Sequence, residues 1–253
     1  MGTVCCQGKT FQSINAILFD KDGTLAQVED YLIKLGFVRS QLIAQASTAD
    51  RKASSLAIES QILATFGLSS NQLNPAGLLA VGSRYDNEIA AAACLAANGY
   101  GWISAVKIAY SAFAQAADTL SPKVIHTPLL PHARQLLKQI EAAGIATGIV
   151  SSDLHSEVTS FIAHHQLTEV DWHCGFSADT LRKTHSDFLQ FACEEMSVKA
   201  NEILIIGDSA ADYELSKQGS AGFLGMTGGW SKQPVMASEI TTCSELNQIK
   251  IFK

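Results

Sequence analysis

The sequence predicts an α/β fold in which helices cover both faces of a parallel sheet. Three short apolar segments, at residues 14–19, 145–150 and 202–206, have the composition of strands that are buried on both faces. Helical patterns accompany the second and third segments, and the stretch of about a hundred residues after the first is longer than any ordinary crossover. Together these observations predict a Rossmann-like, three-layer core with an inserted all-α unit.

Each of the three predicted strands ends in small polar residues. The first leads into the segment 20–24 (DKDGT), the second into 151–153 (SSD) and the third into 207–209 (GDS). A helical pattern that Gly144 closes precedes the second strand. In an open parallel sheet, the loops at the carboxyl ends of the strands meet in one crevice, where ligands bind. We therefore expect these polar residues to form one site.

The inserted unit is predicted to span residues 27–121, and the core to consist of residues 1–26 and 122–253. The insertion is rich in Ala, Leu, Ile and Gln, and it is poor in the alternation that is typical of strands. The helices predicted within it span residues 28–46, 51–66, 84–97 and 102–117.

Composition restricts the possible functions. The chain of 253 residues is 47% hydrophobic and 17% charged, which is typical of a packed globular protein. Its formal net charge of -6, without a run of Lys or Arg, argues against a nucleic-acid partner. Because no apolar stretch is long enough to span a membrane and the six cysteines form no CxxC pair, we expect a cytoplasmic protein with reduced thiols and no membrane partner. The oligomeric state is not predicted.

Four aspartates are expected at the crevice. Asp20 and Asp22 flank one residue after the first strand, while Asp208 and Asp212 lie four residues apart where the third strand passes into a helix. Four carboxylates in one crevice would repel one another strongly unless a cation lay among them. Carboxylate oxygens are hard ligands that suit Mg²⁺. We therefore predict a Mg²⁺ cofactor, with these four aspartates as its candidate ligands.

The same crevice contains the groups that phosphoryl transfer requires. A carboxylate close to Mg²⁺ and a phosphate can act as a nucleophile and form an aspartyl-phosphate, while a second carboxyl group protonates the leaving oxygen. Asp20 and Asp22 are the candidate catalytic pair. Gly23 allows a sharp turn, and Lys183 and Ser151 are suited to bind phosphoryl oxygens. The candidate phosphate-binding residues are Ser151, Lys183, Gly23, Thr24 and Ser152.

Four motifs, in this order, resemble those of the haloacid dehalogenase superfamily and specifically of its phosphatases. Residues 20–24 resemble the DxDGT signature after a strand, and Ser151 resembles the hydroxyl residue that ends the second strand. Lys183 resembles the lysine of the third motif, and residues 207–212 resemble the GDxxxD metal motif. The resemblance covers most of the predicted core.

The resemblance implies a role for each charged residue. Asp20 would be the nucleophile and a metal ligand, and Asp22 the acid/base whose backbone carbonyl binds the metal. Asp208 would be the other direct ligand, while Asp212 would bind the metal through water or orient Lys183. The insertion would be a helical cap of the kind that closes over small substrates.

Two assignments leave an alternative open, and one residue departs from the family pattern. Arg182 is the alternative to Lys183, because the segment after the lysine lacks the usual proline. Ser152 would be the hydroxyl residue of the second motif, instead of Ser151, if the register of the second strand differs by one residue. Lys21 stands where an apolar residue is more common.

The resulting hypothesis is a Mg²⁺-dependent phosphomonoester hydrolase that acts on a small phosphorylated metabolite through an aspartyl-phosphate, like phosphoglycolate phosphatases. One alternative is a phosphotransferase or phosphomutase, which would use the same core and return the phosphoryl group to a bound sugar. Another is a regulatory module without activity, although neither the nucleophile nor a metal carboxylate is missing. The substrate is not predicted, because its recognition would depend on side chains of the cap.

Overall fold

The chain divides into two compact units. The computed structural model describes residues 1–47, 55–177 and 181–253. One unit consists of residues 1–28 and 127–253, and the other of residues 29–126. The two junctions lie slightly later than expected, after residue 28 instead of 26 and after residue 126 instead of 121.

The elements alternate between strands and helices in the first unit and are mostly helices in the second. The strands are β1 (Gly2–Cys6), β2 (Lys9–Ile14), β3 (Ala16–Asp20), β4 (Leu68–Ser69), β5 (Gln72–Leu73), β6 (Ala146–Leu154), β7 (Trp172–Phe176), β8 (Ile203–Gly207), β9 (Gly222–Met226), β10 (Thr242–Cys243) and β11 (Lys250–Phe252). The helices are α1 (Glu29–Ser47), α2 (Ser55–Phe66), α3 (Leu78–Val81), α4 (Arg84–Ala97), α5 (Trp102–Thr119), α6 (Ala133–Ala142), α7 (His155–His164), α8 (Phe188–Met196) and α9 (Ala210–Ser216).

Six of these strands form a parallel sheet in the order β10-β9-β8-β3-β6-β7. This is the strand order of a Rossmann fold, with β3, the first strand of the sheet along the chain, near its centre. The order reverses between β3 and β8, and such sheets bind ligands at the carboxyl ends of the strands beside this switch point. The predicted α/β, Rossmann-like core is confirmed, and its three expected strands correspond to β3, β6 and β8.

Burial explains why the central strands have continuous apolar sequences. Every residue of β8 is buried, and in β3 only the final residue, Asp20, is partly exposed. Leu18 and Ile205 belong to a buried cluster that includes Phe188 of α8 and Leu215 of α9. Helices α6 and α7 pack against β6. The apolar core thus fixes the strands from which the polar loops emerge.

The first unit also contains a three-stranded antiparallel sheet that the sequence patterns did not predict. Its order is β11-β1-β2, so that residues 2–6 pair with both 9–14 and 250–252. The strands are short, and β2 shows no regular alternation, since only Phe11 and Ile14 are buried. Such segments are difficult to distinguish from loops by pattern alone.

The second unit is built mainly from α1, α2, α4 and α5, which pack against one another. Small side chains are buried on both α4 and α5, which explains the Ala-rich composition; they are Ala91, Ala92, Ala105, Ala109 and Ala112. Among the described helices of the chain, none combines the length and the apolar character needed to cross a lipid bilayer.

The helical unit contains one feature that the sequence analysis did not predict. Strands β4 and β5 form a short hairpin, whose turn residues Ser70 and Asn71 have φ angles of 50° and 62°. Two successive left-handed residues are typical of a tight two-residue hairpin turn. Residues 51–54 of the second predicted helix lie outside the described residues, and α2 begins at Ser55.

Candidate active site

The register of the parallel sheet brings polar residues of three loops to one edge. Asp20 is the last residue of β3, and its neighbour in β6 is Val150, which directly precedes Ser151. Asp208 directly follows β8, the strand that pairs with β3 on its other side. The predicted residues at the ends of these three strands therefore lie at the switch point of the sheet.

Lys183 pairs with two of the buried carboxylates. Its side chain is 5% exposed, and its ammonium group forms ion pairs with Asp20 and, at 2.5 Å, with Oδ1 of Asp212. Burial acts to lower the pKa of Lys183, but the two carboxylates outweigh it and raise this pKa above its ordinary value. Arg182, the alternative cation, places its guanidinium carbon 5.4 Å from the centre of the Phe176 ring. Lys183 is therefore a charged group directed at Asp20.

Asp212 is held in place by the first turn of α9. Its Oδ2 accepts hydrogen bonds from the backbone N–H of Ser209 at 3.1 Å and from the Ser209 hydroxyl at 2.6 Å. Ser209 is the N-cap of this helix, and the reciprocal bonds form a capping box. Because Oδ1 faces Lys183, the geometry favours an orienting role for Asp212 over direct metal ligation.

Trp230 contacts the site, and the sequence analysis missed it. Its indole Nε1 donates a hydrogen bond to Oδ2 of Asp208 at 2.5 Å, and the side chain is buried. The hydroxyl of Thr24, predicted to bind phosphate, lies 3.4 Å from Oδ1 of the same carboxylate. No motif links Trp230 to a residue 22 positions earlier, so only the folded structure reveals this contact.

Gly23 is required by its backbone conformation and by its surroundings. Its φ of +83° lies in the left-handed region that favours glycine. A Cβ atom at this position would lie 2.3 Å from Nε1 of Trp230 and 2.6 Å from Oδ2 of Asp208. A Cβ atom on Gly229 would lie 1.8 Å from the carbonyl oxygen of Gly23. These glycines let two loops approach each other closely around Asp208.

The two serines in the last part of β6 differ in exposure. Ser151 is buried and its hydroxyl accepts a hydrogen bond from the backbone N–H of Asp153 at 3.1 Å, whereas Ser152 is exposed. Lys21 forms ion pairs with the carboxylates of Asp22 and, at 2.8 Å, of Asp153. The acid/base candidate Asp22 is thus linked through Lys21 to the last part of β6, which contains Ser151.

Burial and mutual repulsion make the central carboxylates difficult to charge. Burial, the largest effect, raises the pKa of Asp20 to about 7; Lys183 opposes this rise, and Asp212 and Asp22 add to it. Burial, together with the charges of Asp20 and Asp212, raises the pKa of Asp208 well above its usual range. The positive charge of Lys183 therefore does not compensate fully for the neighbouring negative charges.

The oxygen donors at this edge suit a magnesium ion. Within residues 1–47, 55–177 and 181–253, no group of three or more His, Cys, Asp or Glu side chains is arranged to hold a metal. The set implied by the family resemblance has only two such side chains, Asp20 and Asp208, together with the carbonyl of Asp22 and water. Mg²⁺ prefers such oxygen ligands and keeps several waters. A cation there would also relieve the mutual repulsion that, in addition to burial, raises both pKa values.

The family model for haloacid dehalogenase-like hydrolases matches residues 14–219 of the chain. The chain belongs to this family. The matched range begins just before β3 and extends beyond Asp212, so it includes all the aspartates described above. In this haloacid dehalogenase-like hydrolase, Asp20 ends β3, Asp22 follows it, and Asp208 follows β8. Among the curated proteins, none matches the sequence.

Solved structures resemble this haloacid dehalogenase-like hydrolase along nearly its whole length. A predicted phosphoglycolate phosphatase from Haemophilus somnus 129pt has 17% sequence identity and a TM-score of 0.63, with 93% of this chain and 96% of that chain covered. A predicted phosphatase from Clostridium acetobutylicum has 16% identity and a TM-score of 0.60, with 93% and 95% covered. At these identities the likeness shows the shared fold.

The Asp208→Asn variant is expected to stabilise the metal-free protein at about pH 8. Because folding raises the pKa of Asp208, the folded state binds more protons than the unfolded chain above about pH 4. The stability contributed by this group therefore falls as the pH rises from about 4 through the raised pKa. In denaturant unfolding with a chelator, we expect D208N to gain about 1–3 kcal/mol at about pH 8.

The gain of D208N should shrink as the pH is lowered toward about 4, where the carboxyl group is protonated in both states. Asp118→Asn, on an exposed position of α5, is the matched control and should show no such gain. A D208N protein no more stable than the wild type at about pH 8 would show that burial of this charge is not costly.

Proposed function

We propose that this protein is a Mg²⁺-dependent phosphomonoester hydrolase that acts through an aspartyl-phosphate on Asp20. The observation that supports this most is the cluster at the switch point. Asp20 ends β3 with its carboxylate paired to Lys183, and Asp208 lies close enough for their charges to interact. Asp22 supplies a second carboxyl group on the same loop. This is the set of groups that phosphoryl transfer to a carboxylate requires.

The residues that would hold Mg²⁺ are Asp20 and Asp208 through their carboxylates and Asp22 through its backbone carbonyl. When bound, the ion supplies positive charge that reduces repulsion between the carboxylates and the phosphoryl oxygens. Trp230 fixes one oxygen of Asp208 by its hydrogen bond and so limits the orientation of that carboxylate. The protein contributes the rigid arrangement of these oxygens.

The reaction proceeds in two displacements at phosphorus. A carboxylate oxygen of Asp20 attacks the phosphorus, the bond from phosphorus to the ester oxygen breaks, and Asp22 gives its proton to that oxygen. Asp22 then takes a proton from a water molecule that attacks the phosphorus, which releases phosphate and restores the Asp20 carboxylate. Lys183 and Ser151 hold the phosphoryl oxygens during both steps.

Asp22 is the residue that favours a phosphatase over a dehalogenase. The fold does not separate the two, because a dehalogenase is also a structural neighbour, with a TM-score of 0.52 and 16% identity. A phosphate ester needs a proton for its leaving oxygen, which a halide does not. Asp22 lies two residues from the nucleophile, and its charge is near enough to act on Asp20, so it is close enough for this transfer.

The proposed substrate is a small phosphorylated metabolite of the phosphoglycolate type, and the proposed location is the cytoplasm. The structural likeness to the predicted phosphoglycolate phosphatase of Haemophilus somnus supports the substrate class. The location follows from six cysteines without a CxxC pair.

Purified protein is expected to hydrolyse an aryl phosphate when Mg²⁺ is present, and to stop when a chelator removes it. Asp20→Asn should lower the rate at least about 10³-fold, since the amide cannot act as the nucleophile. Free phosphate is measured without a sugar acceptor. A hydrolase releases phosphate under these conditions, whereas a phosphotransferase, which needs an acceptor, does not. Asp118→Asn should keep the wild-type rate, and full activity of D20N would reject the proposal.

Mg²⁺ binding is tested separately from activity. Calorimetry should show saturable binding of Mg²⁺ to the wild type, and Asp208→Asn should weaken it at least about 10-fold by removing a charged ligand. Because Trp230 bonds to Asp208, the ion should also change the tryptophan fluorescence, and Trp230→Phe should remove that change. Equal Mg²⁺ affinity in the wild type and D208N would contradict the proposed ligand set.

A further inference from the structure

Lys21 is a buried lysine whose charge is enclosed by named partners. Its side chain is 1% exposed, and its ammonium group forms ion pairs with Asp22 and, at 2.8 Å, with Oδ2 of Asp153. The same nitrogen lies 5.3 Å from the centre of the Phe161 ring, where a cation is attracted by the aromatic face. A lysine in this position is not a solvated surface residue.

Burial of an ammonium group is costly unless ion pairs and hydrogen bonds replace the lost water. An apolar residue would fill the same space without that cost. The ammonium group of Lys21 lies close enough to act electrostatically on the two carboxylates that it contacts. Those partners are two carboxylates that are partly exposed, Asp22 at 18% and Asp153 at 20%.

The irregular register of β6 accounts for the ion pair between Asp153 and Lys21. Register with β7 is regular up to Val150 and resumes at Leu154, with an irregularity between them. Such irregularities re-aim side chains at strand ends. Asp153 also donates its backbone N–H to the hydroxyl of Ser151. Lys21 thus joins the loop of the acid/base residue to the part of β6 that contains a predicted phosphate-binding residue.

We propose that Lys21 is a positioning residue for Asp22, and that Asp153 is its second anchor. Lys21 holds the Asp22 carboxyl group where it can give its proton to the leaving oxygen. This inference rests on the proposed phosphatase function. Proton transfer requires the donor within hydrogen-bond reach of the reacting atom, so an Asp22 that is free to rotate would be a poor acid.

The leaving group provides a readout that a merely structural role would not change. An alkyl alcohol is a poor leaving group and needs the proton, whereas an activated phenol leaves almost without it. Loss of acid catalysis therefore lowers kcat/KM for an alkyl phosphate much more than for an aryl phosphate. Loss of folded protein, or loss of phosphate binding, lowers kcat/KM for both substrates equally.

The experiment measures kcat/KM for p-nitrophenyl phosphate and for glycerol phosphate in the presence of Mg²⁺. In Lys21→Met we expect the alkyl value to fall about 100-fold and the aryl value to fall less than about 10-fold. Asp22→Asn is the benchmark, and its kcat/KM should likewise fall more for the alkyl phosphate than for the aryl phosphate. Lys217→Met removes an exposed lysine that pairs with Glu214, and it should leave both values unchanged.

A second variant separates positioning from stability. Lys21→Met leaves two carboxylates without their shared ammonium, so its thermal midpoint should fall. Adding Asp153→Asn removes one of these charges and should restore much of the midpoint, while the alkyl-to-aryl ratio stays low. Recovery of the wild-type ratio in the double variant would overturn the inference, because Lys21 would then serve only to neutralise charge.

The outcomes also separate this inference from the proposed function. A wild-type protein that hydrolyses neither ester rejects the phosphatase proposal and this inference with it. A wild type that is active, with a selective defect in Asp22→Asn but not in Lys21→Met, rejects only the role of Lys21. An equal fall for both esters in Lys21→Met also rejects it, and points to direct contact with the phosphate.

Discussion

The crowding of negative charge around Lys183 is the constraint on which the rest of the site depends. Asp20 and Asp212 pair with this one buried ammonium, and Asp208 is close enough for its pKa to rise in response to both. In water these charges would be screened, but burial makes each of them costly. The parallel sheet and the loops hold the groups together against this repulsion, and under the proposed function the same repulsion favours the binding of a divalent cation.

The main effect of the surrounding structure is to fix the orientation of the carboxylates; it adds little positive charge to the site. The first turn of α9 anchors Asp212, so that Lys183 has one defined partner in addition to Asp20. Gly23 allows Trp230 to approach Asp208 at hydrogen-bond distance. Lys21 contacts the carboxylate of Asp22 through an ammonium group, as Trp230 contacts the carboxylate of Asp208 through its indole N–H. Active sites that bring charged groups together commonly lower the free energy of unfolding.

The sequence was sufficient to predict the central strands and most of the carboxylates. Continuous apolar strands that end in aspartate leave a strong pattern, because burial on both faces and ligand binding at one edge each restrict the residues allowed. The antiparallel sheet of β1, β2 and β11 leaves no such pattern, since its strands are short and partly exposed. Trp230 and Lys21 were not predictable for another reason. Their contacts include residues distant in sequence, Asp208 for Trp230 and Asp153 for Lys21, which no local motif records.

The most direct test asks which carboxylate carries the phosphoryl group. The protein is mixed briefly with substrate and Mg²⁺, quenched in acid, reduced with borohydride and digested, and its peptides are analysed by mass spectrometry. Reduction converts an aspartyl-phosphate into homoserine. The account predicts homoserine at position 20 and unmodified aspartate at positions 22 and 208. Homoserine at another aspartate, or turnover of substrate without any homoserine, would contradict it.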